Sequence, residues 1–284
     1  MLFRSVFAKN TVDENFDLTG STSVEKRVAD IHQAFSDASV KAVLTVIGGF
    51  NSNQLLTYLD YDLIKNNPKI FMGFSDITAL HAAIYAKTGL VTYYGPHFSS
   101  FGMLKGCEYT VENMKKVLFE TDEYELKPSS EWSDDRWYID QQNRKFIKNE
   151  GWWHIAEGNA QGTIVGGNLC TFILTLGTSY RPPFKKDTIL FIEDDEGSDL
   201  LTFERNLQAL IYQEDFKNVK GLVIGRFQKA SDVSREKLEF ILNKKELQNM
   251  PIIANIDMGH TTPLATIALG AKAKIADGRI YIMP

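Results

Sequence analysis

The feature that most constrains this chain is a continuous apolar, β-branched run, Ala42 to Ile47 (AVLTVI), stopped by Gly48-Gly49. A run without alternation is apolar on both faces of a strand, and only a parallel sheet covered by helices on both sides buries such a strand. A second run, Lys69 to Gly73, has the same character. Apolar residues at helical spacing lie upstream at Val24, Val28, Ile31 and Phe35, and downstream at Ile77, Leu80, Ala83 and Ile84. A helix is also expected from Asn53 to Leu59. Residues 1–127 therefore read as a doubly wound α/β domain. At about 150 residues per domain, a chain of 284 residues, 44% of them hydrophobic, has room for a second.

Between residues 128 and 160 the pattern breaks. The stretch is polar, has no sustained period and holds all 4 tryptophans, Trp132, Trp137, Trp152 and Trp153. A structured connection of this length within a compact protein is usually functional. Apolar runs return at Gly162 to Val165, Thr188 to Ile192, Gly221 to Ile224 and Ile252 to Ala254, with helical patterns at Leu201 to Tyr212 and Arg235 to Leu242. Residues 161–284 thus form a smaller C-terminal α/β domain. Near its end, Asp277-Gly278 between short β-branched runs predicts a two-residue hairpin turn.

Several function classes drop out. A formal charge of −5, with 31 Lys and Arg against 36 Asp and Glu and no long basic run, gives no electrostatic basis for binding nucleic acid or an anionic membrane. Cys107 and Cys170 have no Cys-x-x-Cys spacing and no neighbouring His, so they read as buried small apolar residues and not as a disulfide or zinc site. No leader-like stretch and no run long enough to span a bilayer is present, and a cytoplasmic protein is expected. Dinucleotide, P-loop and zinc-protease motifs are missing as well.

The chemistry concentrates at a few turns. Ser75 stands between a predicted strand and a predicted helix, the placement of a nucleophile elbow, although Gly73-Phe74-Ser75-Asp76-Ile77 lacks the second glycine of the usual hydrolase motif. The plainer alternative is a helix cap. A serine needs a base and an orienting acid. Of the 5 histidines, His32 and His81 fall in helical patterns and His154 in the tryptophan-rich stretch. His97 and His260 follow strands, and His260, in a loop of small and turn-forming residues, is the better base. For the acid, Glu193-Asp194-Asp195-Glu196 follows a buried strand, where ligands and catalytic groups collect; spacing does not choose among the four, and a solvated strand end or a cation site are alternatives. Gly48-Gly49 and Asp76 offer backbone N–H groups for an oxyanion.

Gly48-Gly49-Phe50-Asn51-Ser52-Asn53, Gly73 to Leu80, Tyr94-Gly95-Pro96-His97, Gly166-Gly167-Asn168-Leu169, Phe191-Ile192-Glu193-Asp194 and Gly259-His260-Thr261 together resemble the serine LD-carboxypeptidase family, in particular its microcin C self-immunity branch. The resemblance implies a Rossmann-like N-terminal domain carrying the nucleophile and a C-terminal domain carrying acid and histidine, with the active site between them. It implies a triad of Ser75, Glu193 and His260, an oxyanion hole at the Gly49 and Asp76 amides, no metal or organic cofactor, and a homodimer. Asn51, His97, Trp132, Trp137, Trp152, Trp153 and Asn168 are the expected substrate contacts.

The family includes enzymes that remove D-alanine from murein tetrapeptides and others that cut the amide joining an aminoacyl group to a nucleotide. Glu131-Trp132-Ser133-Asp134-Asp135 and Gly151-Trp152-Trp153 resemble the second group, which implies an aromatic residue of this connection stacked on the base, a contact contributing about 1 to 3 kcal/mol; packing anchors are the alternative. A non-catalytic module sequestering a peptide-nucleotide ligand and a general esterase are the rivals from other classes. Family members begin with a further strand and helix ahead of the segment matching Val6 to Asn10, and a missing central strand would leave unpaired backbone, so either a longer natural chain or another element covering that edge is expected.

Overall fold

The computed structural model describes residues 4–12 and 15–283. The first helix, α1 (Val24–Ser36), is opened by the Ser23 hydroxyl, which accepts the Lys26 N–H, and buries Val28 and Phe35. Strands β1 (Ala42–Leu44), β2 (Ile70–Gly73) and β3 (Thr92–Tyr94) follow, separated by α2 (Tyr61–Asn66) and α3 (Thr78–Thr88). The three strands run parallel in the order β1-β2-β3. Residues Thr78 to Ile84 of α3 are all buried, because α3 packs on β3 and α2 and also reaches the second sheet. Gly89 ends it in the left-handed conformation at φ 75°.

After α4 (Glu108–Phe119) come β4 (Tyr124–Leu126), the short ribbon β5 (Glu131–Trp132) and β6 (Ile147–Lys148), and β7 (Trp153–Ala156). The chain then enters β8 (Ala160–Asn168), α5 (Leu169–Phe172), β9 (Thr188–Glu193), α6 (Leu200–Ile211), β10 (Val219–Gly225), α7 (Arg235–Leu242) and β11 (Ile252–Ile256), and closes with β12 (Ile267–Leu269), β13 (Lys272–Ala276) and β14 (Arg279–Met283). An eight-stranded sheet has the order β4-β14-β13-β8-β9-β10-β11-β7. Its centre, β8 to β11, is parallel, and every residue of β9 is buried. One apolar cluster packs α5, α6 and α7 on one face of this sheet, a second fills the other face together with β12, and a third joins α1, α2 and α3 under the small sheet. Each Leu, Ile or Phe fully buried there contributes about 1.5 to 3 kcal/mol.

The α/β class and the alternation hold, with local corrections. The run Ala42 to Ile47 is strand only to Leu44, because the Thr45 and Val46 carbonyls accept the Phe98 and Ser99 N–H groups and leave the ladder. The helix expected over Asn53 to Leu59 is a single 3-10 turn, Ser52–Leu55; the Asp60 carboxylate then caps a separate helix by accepting the Leu63 N–H at 2.8 Å. Cys107 and Cys170 are half-buried rather than buried. The sheets also cut across the expected boundaries: β4, before residue 127, pairs with β14, while β12 returns to β3 in the small sheet. The tryptophan-rich connection supplies β7 as an edge of the large sheet. The Asp277-Gly278 turn is as expected, with φ 51° and 71°. Among the described residues, no helix is long and apolar enough to cross a membrane.

Candidate active site

Ser75 is set at the carboxyl end of β2 by strain in the backbone. The chain leaves Gly73, passes extended Phe74 and turns into the 3-10 turn Ser75–Ile77 that opens α3, with Ser75 at φ 62°. A non-glycine residue rarely adopts this left-handed conformation, and it throws the side chain clear of both strand and helix, as in a nucleophile elbow. The missing second glycine of the motif is therefore no obstacle to the geometry. The loop after β1 closes on this turn: a Cβ at Gly48 would lie 3.0 Å from Ser75 Cβ and 3.1 Å from its Oγ. Gly49, at φ 132°, lies against the Asp76 carboxylate, which accepts the Ser52 N–H at 2.8 Å.

His260 arrives from the loop after β11. Its Nε2 is 2.9 Å from Ser75 Oγ and its Nδ1 is 2.8 Å from Glu193 Oε2. Glu193, the last residue of β9, is wholly buried, and its Oε1 accepts from the Tyr94 hydroxyl at 2.5 Å and from Asn168 Nδ2 at 3.0 Å. Gly259 makes the crossing possible, since at φ 109° a Cβ there would sit 2.2 Å from Glu193 Oε2. The other three carboxylates go elsewhere. Asp194 Oδ1 faces Asn168 Nδ2 at 3.4 Å, Asp195 Oδ1 accepts the Gly197 N–H at 2.7 Å, and Glu196 pairs with Arg136 at 3.4 Å.

Burial pushes the Glu193 carboxyl up, but the His260 charge and hydrogen bond, with the Tyr94 and Asn168 donors, outweigh it and hold Glu193 below its ordinary value. Burial likewise pushes His260 down, and Glu193 outweighs it, leaving the imidazole raised. Asp194, beside this pair, is raised to about 6 by burial and by the Glu193 charge. His97 is lowered to about 3 by burial and by the neighbouring histidines. Its neutral ring stacks on Phe74 with centroids 4.1 Å apart, and Nδ1 meets Thr45 Oγ1 at 2.8 Å. Phe74 in turn packs edge-on against His260.

The expected substrate contacts divide. Asn168 is almost wholly buried, caps α5 and donates to Glu193 Oε1. Asn51 is engaged by Arg27, Thr19 and Ser21. Trp152 and Trp153 pack against the two apolar clusters of the large sheet. Trp137 lies near Gly102 and packs edge-on with Tyr138. Trp132 is half-buried, with the Arg226 guanidinium 5.0 Å and the Lys229 ammonium 5.5 Å from its ring centre. The next residue, Ser133, exchanges two backbone hydrogen bonds with Thr262, two positions past His260, and Ser129 donates to Asp257 on the other side of the same loop. The connection therefore clamps the His260 loop from both sides, a role that periodicity could not reveal. Tyr94 opens the motif Tyr94-Gly95-Pro96-His97, but its hydrogen bonds to Ser75 and Glu193 follow from no local pattern.

Among the described residues, one group has metal-ligand chemistry: the Cys170 thiol with Asp194 and Asp195, their ligand atoms within 4.8 Å of one another. Burial and the Asp194 charge push the Cys170 thiol up.

Two family descriptions match the chain, the LD-carboxypeptidase N-terminal domain over residues 3–95 and the LD-carboxypeptidase C-terminal domain over residues 161–275. The chain belongs to the LD-carboxypeptidase family. Membership makes it a hydrolase of the serine carboxypeptidase type. YocD of Bacillus subtilis, provisionally named a carboxypeptidase, is 56% identical over 256 residues, covering 90% of this chain and 78% of that protein. The crystal structure of an MccF-like protein from Bacillus anthracis superposes with a TM-score of 0.93 at 53% identity, over 96% of this chain and 85% of that one. The microcin C7 self-immunity protein MccF, in complex with aspartyl sulfamoyl adenosine, gives a TM-score of 0.87 at 33% identity, over 98% of this chain and 86% of that one.

Proposed function

We propose that this LD-carboxypeptidase family member hydrolyses an amide through an acyl-enzyme at Ser75, with His260 as general base and acid and Glu193 as the group that orients it. The observation that carries the proposal is the continuous contact Ser75 Oγ to His260 Nε2, 2.9 Å, and His260 Nδ1 to Glu193 Oε2, 2.8 Å. His260 Nε2 takes the hydroxyl proton as Oγ attacks the carbonyl carbon, and Glu193, kept ionised by its three donors, holds the Nδ1–H and stabilises the imidazolium. The amides of Gly49 and Asp76 receive the oxyanion. The imidazolium then protonates the leaving nitrogen. A water molecule, deprotonated by the same imidazole, releases the acid and restores Ser75.

The favoured substrate is an aminoacyl group joined through an amide or acyl-sulfamate nitrogen to a nucleotide. Two observations support it: MccF, a family relative, is known in complex with aspartyl sulfamoyl adenosine, and Trp132 presents a half-buried indole in the segment tied to the His260 loop. Mass spectrometry of parallel incubations with aspartyl sulfamoyl adenosine and a murein tetrapeptide, each beside Ser75→Ala, tests both levels. Loss of the aspartyl group supports the proposal, and Trp132→Ala then raises KM with kcat little changed. Loss of D-alanine alone moves the substrate to murein peptides. Wild-type turnover by Ser75→Ala refutes the mechanism.

A further inference from the structure

We propose that the Tyr94 hydroxyl is a positioning group that locks the nucleophile elbow to the acid and sets the proton affinity of the His260–Glu193 pair; this rests on the triad proposed above. Tyr94 ends β3, in register with Gly73 at the end of β2, and is wholly buried. Its oxygen accepts the Ser75 N–H at 3.0 Å, and its proton is donated to Glu193 Oε1 at 2.5 Å. The direction of both bonds is fixed by chemistry. An amide nitrogen only donates, an ionised carboxylate only accepts, and the phenol has one proton to give. Burial and the adjacent Glu193 charge raise the phenol well above its ordinary value, so it stays neutral.

One hydroxyl thus joins groups from the two sheets. On the small-sheet side it holds the amide of a residue whose left-handed backbone is costly and persists only where its surroundings enforce it. On the large-sheet side it is one of three donors to Glu193, beside Asn168 and His260. Other ionisable groups surround the pair. Asp194 and Asp195 lie just beyond the end of β9, and the Asp76 carboxylate is held by the Ser52 N–H. His81 on α3 and His97 beyond β3 are lowered to about 4 and about 3 and stay neutral through the working range. Removing the Tyr94 donor leaves the carboxylate less stabilised, so the pair binds its proton more tightly.

The test needs no natural substrate: the rate of Ser75 labelling by a fluorophosphonate is followed against pH. In Tyr94→Phe the labelling rate at its plateau falls roughly tenfold or more. Its acid limb moves up by about one pH unit, the size expected for losing a hydrogen bond to a charged group. A purely packing role lowers Tm and leaves the limb in place, and that result overturns the proposal. A second protein carries tyrosine fluorinated at both positions flanking the hydroxyl, which keeps both bonds and strengthens the donor. Its limb moves down; if Tyr94→Phe does not fold, an unmoved limb in the fluorinated protein overturns the proposal by itself. A parent protein that is not labelled at Ser75 refutes instead the triad on which the proposal rests.

Discussion

Asp194→Asn should make the protein more stable at neutral pH and leave its stability unchanged in acid. Asp194 is only 1% exposed, and its carboxyl is raised from 3.8 to about 6 by burial first and the Glu193 charge second, with Ser198 and Cys170 giving partial relief. A displacement of that size, at about 1.4 kcal/mol per pH unit, amounts to about 3 kcal/mol. The folded pKa lies above the unfolded one, so between about pH 4 and about pH 6 the folded state binds more protons. Stability therefore falls as pH rises through that window, and the full penalty is present above about 6. Asparagine is neutral throughout and keeps an oxygen for the Asn168 and Asp195 N–H groups. Urea unfolding at neutral pH and again near pH 4 should then show a gain of about 1 to 3 kcal/mol that vanishes in acid. A gain of the same size at both pH values, or a loss at neutral pH, would refute the electrostatic account.

Activity should fall in acid with a midpoint above the ordinary histidine value of 6.5, since His260 is raised by Glu193, and Glu193→Gln should both lower that midpoint and cut kcat by about 10⁴-fold in a pH-rate series. Gly259→Ala places a methyl 2.2 Å from Glu193 Oε2 and should reduce kcat about 100-fold, with the far-UV spectrum unchanged. Phe203→Ala, which empties a wholly buried site packed edge-on against Phe227 at 4.9 Å, should cost about 3 to 5 kcal/mol in a denaturant titration and leave KM unchanged.

The sequence by itself determined whatever depends on neighbours a few positions apart. Unbroken apolar runs marked the buried strands around β2, β9, β10 and β11, 3.6-residue spacing marked α1, α3, α6 and α7, and Asp277-Gly278 marked the final turn. Ser75 and His260 were legible because a strand-to-helix junction and a loop of small residues are local patterns. Spacing left four adjacent carboxylates open and only the motif resemblance pointed to Glu193; the tertiary structure supplies the physical reason, since Glu193 Oε2 lies 2.8 Å from the His260 ring while the other three carboxylates have other partners. It also decided that β12 returns to the small sheet, that Asp60 splits an expected helix, and that Asn168 donates to Glu193. The bonds that join the Tyr94 hydroxyl to Ser75 and Glu193 belong to the same class. A periodic pattern reports which face of an element is buried, whereas a hydrogen bond needs single atoms within about 3 Å of each other, and Ser75 and His260 are 185 residues apart. Only the packing of two sheets brings such residues together.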